Sequence, residues 1–469
     1  MKRLDRAKPV PDISRMPRFF PRSIRRAASG IGALLGLVGC SATPPPTPVP
    51  VAAPVQRVQA PAAPRAVGDP AHPVMLGIDV LEAQGFAAIR GKSIALLTHP
   101  AGVNMHGVST IDILRHAPNV RLVALFSTEH GIRGEYPASI NYSDHTDART
   151  GLPVYSLYNG INRGKPSRAQ LKGIDAVVID LQDIGSRSYT FVGAMKMCME
   201  GCFENGVEVV VLDRPNPLGG VKVDGPPLEA QWAGGLVGAF RVPYVHGLTI
   251  GELARMAKEA PEVLKISDAA RARGRLTVVP MRGWRRSMRW PDTGLAWIPT
   301  SPYIPDFSAV EGYPLTGLGT QWGGFKNGIG TAYPFRGISY HGVRFEVLER
   351  ELRALNIPGI GFRRVSVTDP KTGKPELGLY VEITDWDLWR PTEFSACLVR
   401  LACRFSARNP FSGMTPAEAR TFLIYWGSTP FYTDLAAHGS RVDVDAYVRE
   451  WQARNSIYRE QSRKYWLYY

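Results

Sequence analysis

The sequence predicts an α/β fold: a doubly wound parallel sheet followed by a smaller α+β domain. Three observations predict it. Short apolar runs alternate with helix-like stretches between residues 93 and 260. The runs end abruptly in polar clusters: Asp175–Asp180 (DAVVID) enters Leu181–Phe191 (LQDIGSRSYTF), and Val207–Leu212 (VEVVVL) enters Asp213–Gly220 (DRPNPLGG). After residue 340 the pattern changes to two strands among several helices. A Val/Ile run without polar alternation reads as a strand buried on both faces. Strand–helix alternation implies a parallel sheet. Open α/β sheets bind ligands beyond the carboxyl ends of their strands. Asp180, Asp183, Arg187, Asp213 and Arg214 are therefore expected beside one crevice.

The elements follow in order. Ser93–Thr98 (SIALLT) is a strand, and Ser109 opens a helix to His116 as a good cap residue. Val120–Phe126 is the next strand and runs into Ser127–Gly134 (STEHGIRG). Asp175–Leu181 is the third. Phe191–Asn205 is a helix ended by Gly206. Val207–Leu212 is the fourth strand. Thr249 caps a helix to Ala260, with Glu252 at the capping-box position. Residues 282–340 are loop-like and rich in Trp, Gly, Pro and Tyr. Beyond them helices are expected at 342–355, 393–407, 415–424 and 443–462, and strands at 362–368 and 377–384. No Gly-x-Gly-x-x-Gly follows any strand, since the glycines at 30, 32 and 36 precede the sheet. A nucleotide is not implied.

The first 39 residues read as a lipoprotein signal peptide. Residues 1–26 hold nine Lys/Arg and two Asp, followed by the small, apolar run Ala27–Gly39. Leu37-Val38-Gly39-Cys40 fits a lipoprotein box, so Cys40 is the expected lipid attachment. Residues 40–73 are Pro/Ala-rich with almost no charge, an extended tether. The folded body is expected as a catalytic domain at 74–298 and a C-terminal domain at 299–469. Ser41 after the cysteine favours the outer membrane, facing the periplasm. Removing residues 1–39 takes away nearly half of the net charge of +15. The mildly basic remainder suits an anionic polymer, and no nucleic-acid-binding motif is present. No later stretch has the length of a transmembrane helix. Cys198, Cys202, Cys397 and Cys403 match no zinc spacing and read as small buried residues.

Four groups carry possible chemistry. Glu129 and His130 follow a buried strand, where desolvation raises a carboxyl pKa and suits it to general-acid work; a turn cap is the plainer reading. Asp144, His145 and Asp147, with His99, His130 and Asp180, are of metal-ligating types, but their spacing fits a solvated loop better. Arg187 either pairs with Asp183 or holds a substrate carboxylate in its planar fork. Asp213 and Asn216 lie on a loop made rigid by Pro215 and Pro217. His246 precedes a helix start and reads equally as a site residue or a turn residue.

Together these segments resemble the NamZ-type exo-β-N-acetylmuramidase family. The resemblance rests on Leu97–Gly102 (LTHPAG), Phe126–Gly134 (FSTEHGIRG), Asp147–Tyr158 (DARTGLPVYSLY), Ile179–Phe191, Val211–Gly220 and His246–Ala254 (HGLTIGELA). It implies a Rossmann-like domain, a smaller C-terminal domain and a cleft between them. It also implies exo-hydrolysis that releases N-acetylmuramic acid from the non-reducing ends of peptidoglycan fragments, without a cofactor or a metal. Glu129 carries over as catalytic. Asp183 leads Asp180 and Glu311 as the second carboxylate. His130, Arg133, Arg187, Tyr189, Asp213, Arg214, Asn216, His246 and Glu311 are the expected substrate contacts. One departure stands out: Gly328-Ile329-Gly330-Thr331 has Ile329 where the family usually carries a basic residue. A non-catalytic muropeptide-binding lipoprotein and a metal-dependent hydrolase using His99, His130 and Asp147 are the competing expectations.

Overall fold

The computed structural model describes residues 74–160, 164–368 and 373–469. The expected signal peptide, Cys40 and the tether lie outside the described residues. A seven-stranded sheet organises the first part of the chain. Its strands are β1 (Ser93–Thr98), β2 (Arg121–Ser127), β3 (His145–Thr146), β4 (Pro153–Ser156), β5 (Ala176–Asp180), β6 (Glu208–Leu212) and β7 (Leu276–Val279). They are ordered β3-β4-β2-β1-β5-β6-β7. All neighbours are parallel except β3, which runs antiparallel to β4 at the edge.

The chain winds outward from β1 in one direction, then returns beside it through β5 and winds the other way. That reversal makes a topological switch point at β1, where ligands bind in open α/β sheets. The register aligns the strand ends. Thr98 pairs with both Ser127 and Asp180, and Ser127 with Ser156. The segments beginning at His99, Thr128 and Leu181 therefore leave one edge side by side.

Alternate residues of each buried strand serve two cores. Val177, Ile179, Val209 and Val211 face one layer with helices α3 (Thr190–Glu204) and α4 (Ile250–Glu259). Ala176, Val178, Val210 and Leu212 face another with α1 (Gly77–Ala83) and α2 (Thr110–His116). This is the period-2 signature of strands covered on both faces. Ser109 caps α2 by accepting from Ile111 N. Thr249 and Glu252 form the expected capping box on α4.

A short helix, α5 (Asp268–Arg273), leads into β7. The 282–340 stretch holds more regular structure than expected. It contains helix α6 (Phe307–Gly312), a π-helical turn (Tyr313–Gly317) and strands β8 (Phe325–Lys326) and β9 (Gly337–Tyr340). Helix α7 (Phe345–Arg353) and strands β10 (Ile360–Thr368) and β11 (Pro375–Ile383) complete an antiparallel sheet ordered β10-β11-β9-β8. Helices α8 (Glu393–Phe405), α9 (Pro416–Trp426), α10 (Thr429–His438) and α11 (Val444–Ser462) follow. Ile338, Leu379, Phe394, Trp426 and Trp451 belong to the same continuous core as Val177 and Val211. Both sheets thus share one apolar interior.

Candidate active site

The loop after β2 turns sharply. His130 and Gly131 both have positive φ, 75° and 79°. A non-glycine residue in that region is strained, and such strain collects at functional loops. His130 is buried, and its Nδ1 lies 2.9 Å from the Tyr136 carbonyl. A carbonyl only accepts, so Nδ1 carries the proton.

The turn presents Glu129, half-buried rather than desolvated. Its Oε1 accepts the Ser139 N–H at 2.8 Å, and its Oε2 is 3.0 Å from Thr190 Oγ1. Thr190 opens α3, so the carboxylate sits at a helix N-terminus. The two partners differ in kind. A backbone N–H can only donate, whereas a hydroxyl can rotate and accept. Oε2 is therefore the oxygen that can carry a proton. The charge of this carboxylate is felt by two phenols. Burial, and then the Glu129 charge, pushes Tyr425 above the ordinary tyrosine range. Burial does the same to Tyr189, with Asp183 and Glu129 both adding to it. Glu129 thus lies near enough to Tyr189 and Tyr425 for its charge to act on both, as Asp183 does on Tyr189, and Tyr425 comes from the end of α9 in the C-terminal part.

Asp183 follows β5 and is 5 % exposed. Its Oδ2 accepts the Gly185 N–H at 2.8 Å and lies 3.5 Å from His246 Nε2. Gly185 has φ 79°, and a Cβ there would meet Asn216 Oδ1 at 2.4 Å, so only glycine serves. Asp183 Oδ1 is buried and has no hydrogen-bond partner among the described residues. The Tyr189 hydroxyl donates to Thr300 Oγ1 at 2.7 Å. Ser188 Oγ lies 2.7 Å from Tyr244 OH and 3.2 Å from Tyr313 OH. Trp322 stands edge-on to Tyr425 at 6.1 Å.

Several residues expected at the substrate are occupied elsewhere. Arg187 is 1 % exposed. Its two terminal nitrogens donate to the carbonyls of Pro226, Val242, Tyr425 and Trp426, at 2.6 to 3.1 Å. It is paired neither with Asp183 nor with any other carboxylate among the described residues. Burial lowers its pKa to about 10, and carbonyl dipoles at the end of α9 hold its charge. Arg214 grips Asp180 at 2.5 and 2.9 Å and donates to the Val103 carbonyl. Asp180, a candidate second carboxylate, also accepts from Thr110 Oγ1 at 2.5 Å. Asp213 accepts four hydrogen bonds, from Arg214 N, Gly251 N, Thr249 Oγ1 and Tyr468 OH. Asn216 closes its own turn by accepting from Leu218 N and donating to the Leu248 carbonyl. Arg133 forks onto Asp147 at 2.9 Å. Burial would raise the Asp147 pKa, but its bonds to Thr150 and Arg133 outweigh this and lower it.

Glu311 pairs with Arg336 at 2.8 Å. Burial holds its carboxyl up against the pull of that arginine. Ile329 lines a surface cavity of about 310 Å³ with Phe325, Thr331 and Val367. None of the strand-end groups lines it. A larger cavity of about 830 Å³, around Lys222, Trp386 and Arg459, is also lined by none of them.

The metal alternative finds no donor set. His99 Nε2 accepts the Gln182 N–H at 2.9 Å. Burial, and then the Arg214 charge, holds His99 well below the usual histidine range. Asp147 is taken by Arg133. No group of three His, Cys, Asp or Glu among the described residues is placed to hold an ion. The four described cysteines are free thiols, three buried and Cys403 half-buried.

A scan against family models matches residues 94–308 to the exo-β-N-acetylmuramidase NamZ N-terminal domain, and residues 311–468 to its C-terminal domain. The chain belongs to the NamZ exo-β-N-acetylmuramidase family. It is 38 % identical over 333 residues to the peptidoglycan β-N-acetylmuramidase NamZ of Bacillus subtilis (strain 168), covering 70 % of this chain and 77 % of that protein. Two crystal structures of DUF1343-family proteins from Bacteroides fragilis NCTC 9343 share the fold. One superposes with a TM-score of 0.75 at 36 % identity, the other with 0.63 at 25 %. Each comparison covers 84 % of this chain and 99 % of the other. Within this family frame, Ser139, Thr190 and Tyr425 are the neighbours of Glu129 that sequence reasoning missed. No local signal marks them, because they reach this carboxylate only through folding.

Proposed function

We propose that this chain is an exo-acting β-N-acetylmuramidase, a glycoside hydrolase that releases N-acetylmuramic acid from the non-reducing ends of peptidoglycan fragments. Family membership over both halves supports the activity. Glu129 carries the chemical reading: a half-exposed carboxyl at the switch point, with one oxygen fixed as an acceptor and the other against a rotatable hydroxyl. Such a group can give a proton to a glycosidic oxygen and take one back from water. Asp183 is the second carboxylate, because Asp180 and Glu311 are each held by an arginine. The phenols of Tyr189 and Tyr425 wall the sugar in.

The deciding assay is incubation of the purified chain with a disaccharide ending in N-acetylmuramic acid, with and without a chelator. Release of free N-acetylmuramic acid in both conditions is expected. Glu129→Gln is expected to lose roughly 10²–10⁴-fold in kcat, the usual worth of a general acid, with an unchanged circular dichroism spectrum. Full activity of that variant rules Glu129 out of the mechanism.

The same reading places the enzyme in the cell envelope as an exported lipoprotein, anchored through Cys40 and facing the periplasm. The basic, then apolar N-terminal sequence and the Leu37–Cys40 box support it. Metabolic labelling with palmitate should mark the wild type and not Cys40→Ser. Equal labelling of both removes the anchor.

A further inference from the structure

The buried end of β5 holds an unusual set of unpaired polar atoms. Asp183 Oδ1, Gln182 Oε1, Ser186 Oγ and His246 Nε2 all lack a hydrogen-bond partner among the described residues. Buried polar atoms are nearly always satisfied, so a group of orphans needs a physical reason. The two oxygens of Asp183 are sharply distinguished. Oδ2 takes the Gly185 N–H and faces His246 Nε2. Oδ1 takes nothing.

The tautomer of His246 follows from its other contact. Leu248 N donates to Nδ1 at 3.2 Å, so Nδ1 is the acceptor and Nε2 carries the proton. The Tyr458 hydroxyl donates to the His246 carbonyl at 3.1 Å and holds the backbone. The protonated Nε2 thus has Asp183 Oδ2 as its neighbouring carboxylate oxygen. The separation of 3.5 Å is long for a hydrogen bond, as such contacts often are before substrate binds. His246 is 1 % exposed and sits behind Asp183. It is placed to act through Asp183 rather than to touch a sugar.

We propose that Asp183 Oδ1 receives the N–H of the substrate's own acetamido group and turns that group into the nucleophile, with His246 as a positioning residue. This rests on the glycosidase reading above. In the first step the acetamido carbonyl oxygen bonds to C1 as the C1–O bond to the leaving sugar breaks. The Glu129 proton passes to the leaving oxygen. The cyclic oxazolinium keeps its N–H on the Asp183 carboxylate, whose charge stabilises it. In the second step the oxygen of a water molecule bonds to C1 and the ring C1–O bond breaks. The water proton goes to Glu129, restoring the acid and the acetamide. Two displacements at C1 give net retention. A free carboxylate oxygen beside a half-exposed acid is the pair this route requires. Asp183 Oδ2 is held by the Gly185 N–H at the buried strand end, and an acetamido group, which projects from C2, reaches further into such a site than C1 does.

The test uses the full chain and 4-nitrophenyl β-glycosides of muramic acid carrying N-acetyl, N-fluoroacetyl, N-difluoroacetyl or N-trifluoroacetyl groups. Fluorine weakens the carbonyl oxygen as a nucleophile. The wild type is expected to lose kcat progressively, by about 10²-fold or more across the series, and to release the β anomer first by NMR. A flat series or initial release of the α anomer overturns the proposal and leaves the glycosidase reading standing. No 4-nitrophenol from any of the four overturns both. Asp183→Asn is expected to lower kcat on the N-acetyl substrate by about 10²–10³-fold. His246→Phe should lower kcat by about tenfold or more with little change in KM, and His246→Gln, which restores an N–H, should regain part of it. An unchanged kcat in folded His246→Phe removes the positioning role. Should that variant fail to fold, the fluorine series on the wild type still decides the main claim.

Discussion

Asp213 and Glu129 show how differently two acidic residues at strand ends are used. Asp213 is fully buried, takes four donors and touches the C-terminal Tyr468. Burial nonetheless dominates; with help from Glu252 it outweighs the donors and raises the pKa to about 7. The folded form therefore keeps its proton through a pH range in which the unfolded chain has lost it. That stabilises the fold fully below about pH 4, and the contribution is lost as pH rises towards 7. Asp213→Asn should keep the four contacts, because both hydroxyl partners can rotate. Its melting temperature should fall less between pH 4 and 7 than that of the wild type. Parallel curves in a calorimetric pH series would show that Asp213 does not titrate there. The motif residues were visible in the sequence, but their division of labour was not. Asp180, Asp213, Arg214 and Asn216 are internally satisfied and the terminal nitrogens of Arg187 are closed off by carbonyls, whereas Glu129 Oε2 meets a rotatable hydroxyl and Asp183 Oδ1 meets no partner among the described residues. Only the list of partners separates the two sets.

Arg187 belongs to the loop after β5, yet its guanidinium ends on the last carbonyls of α9. It joins two elements that the chain separates widely. Arg187→Ala would leave these carbonyls buried and unpaired, at a cost of roughly 3–5 kcal/mol. Urea unfolding should show a lower midpoint, with activity reduced because Tyr425, on the same helix end, moves relative to Glu129. A midpoint within error of the wild type would mean water replaces the guanidinium. At this scale the long elements were legible. The Val/Ile runs of β1, β5 and β6 and the capped helices α2 and α4 lie within a residue or two of expectation. Nine segments were missed: β3, β4, β7, β8, β9, α1, α5, α6 and α10, nearly all of them short. β4 and β7 have only four residues each and are partly exposed, so they lack the apolar run that marks a central strand. α6 has six residues and takes its definition from packing. α10 begins at the Thr429-Pro430 pair, which reads as a turn until Ser428 is seen to cap it.

Both sheets draw on one core, so neither half is expected to fold well alone. Cutting the chain after residue 308 would strip Leu315, Ile338, Leu379, Phe394, Trp426 and Trp451 from this core and expose the apolar residues that share it. A patch of that size promotes association. A fragment of residues 74–308 should bind a hydrophobic dye and unfold without a sharp transition. Co-expression with residues 309–469 should restore a cooperative one. Sharp, independent unfolding of the separate pieces would contradict a shared core. The sequence by itself determined the long strands and helices, the acidic residue that follows β2 and the family, because these follow from local periodicity and contiguous motifs. It could not decide which polar residues serve as scaffold. A buried polar side chain is defined by what pairs with it, and the partners of Arg187, Asp213 and Asp183 arrive from distant parts of the chain. Tertiary structure alone shows Arg187 closed off, Asp213 tied to Tyr468 and one oxygen of Asp183 left open.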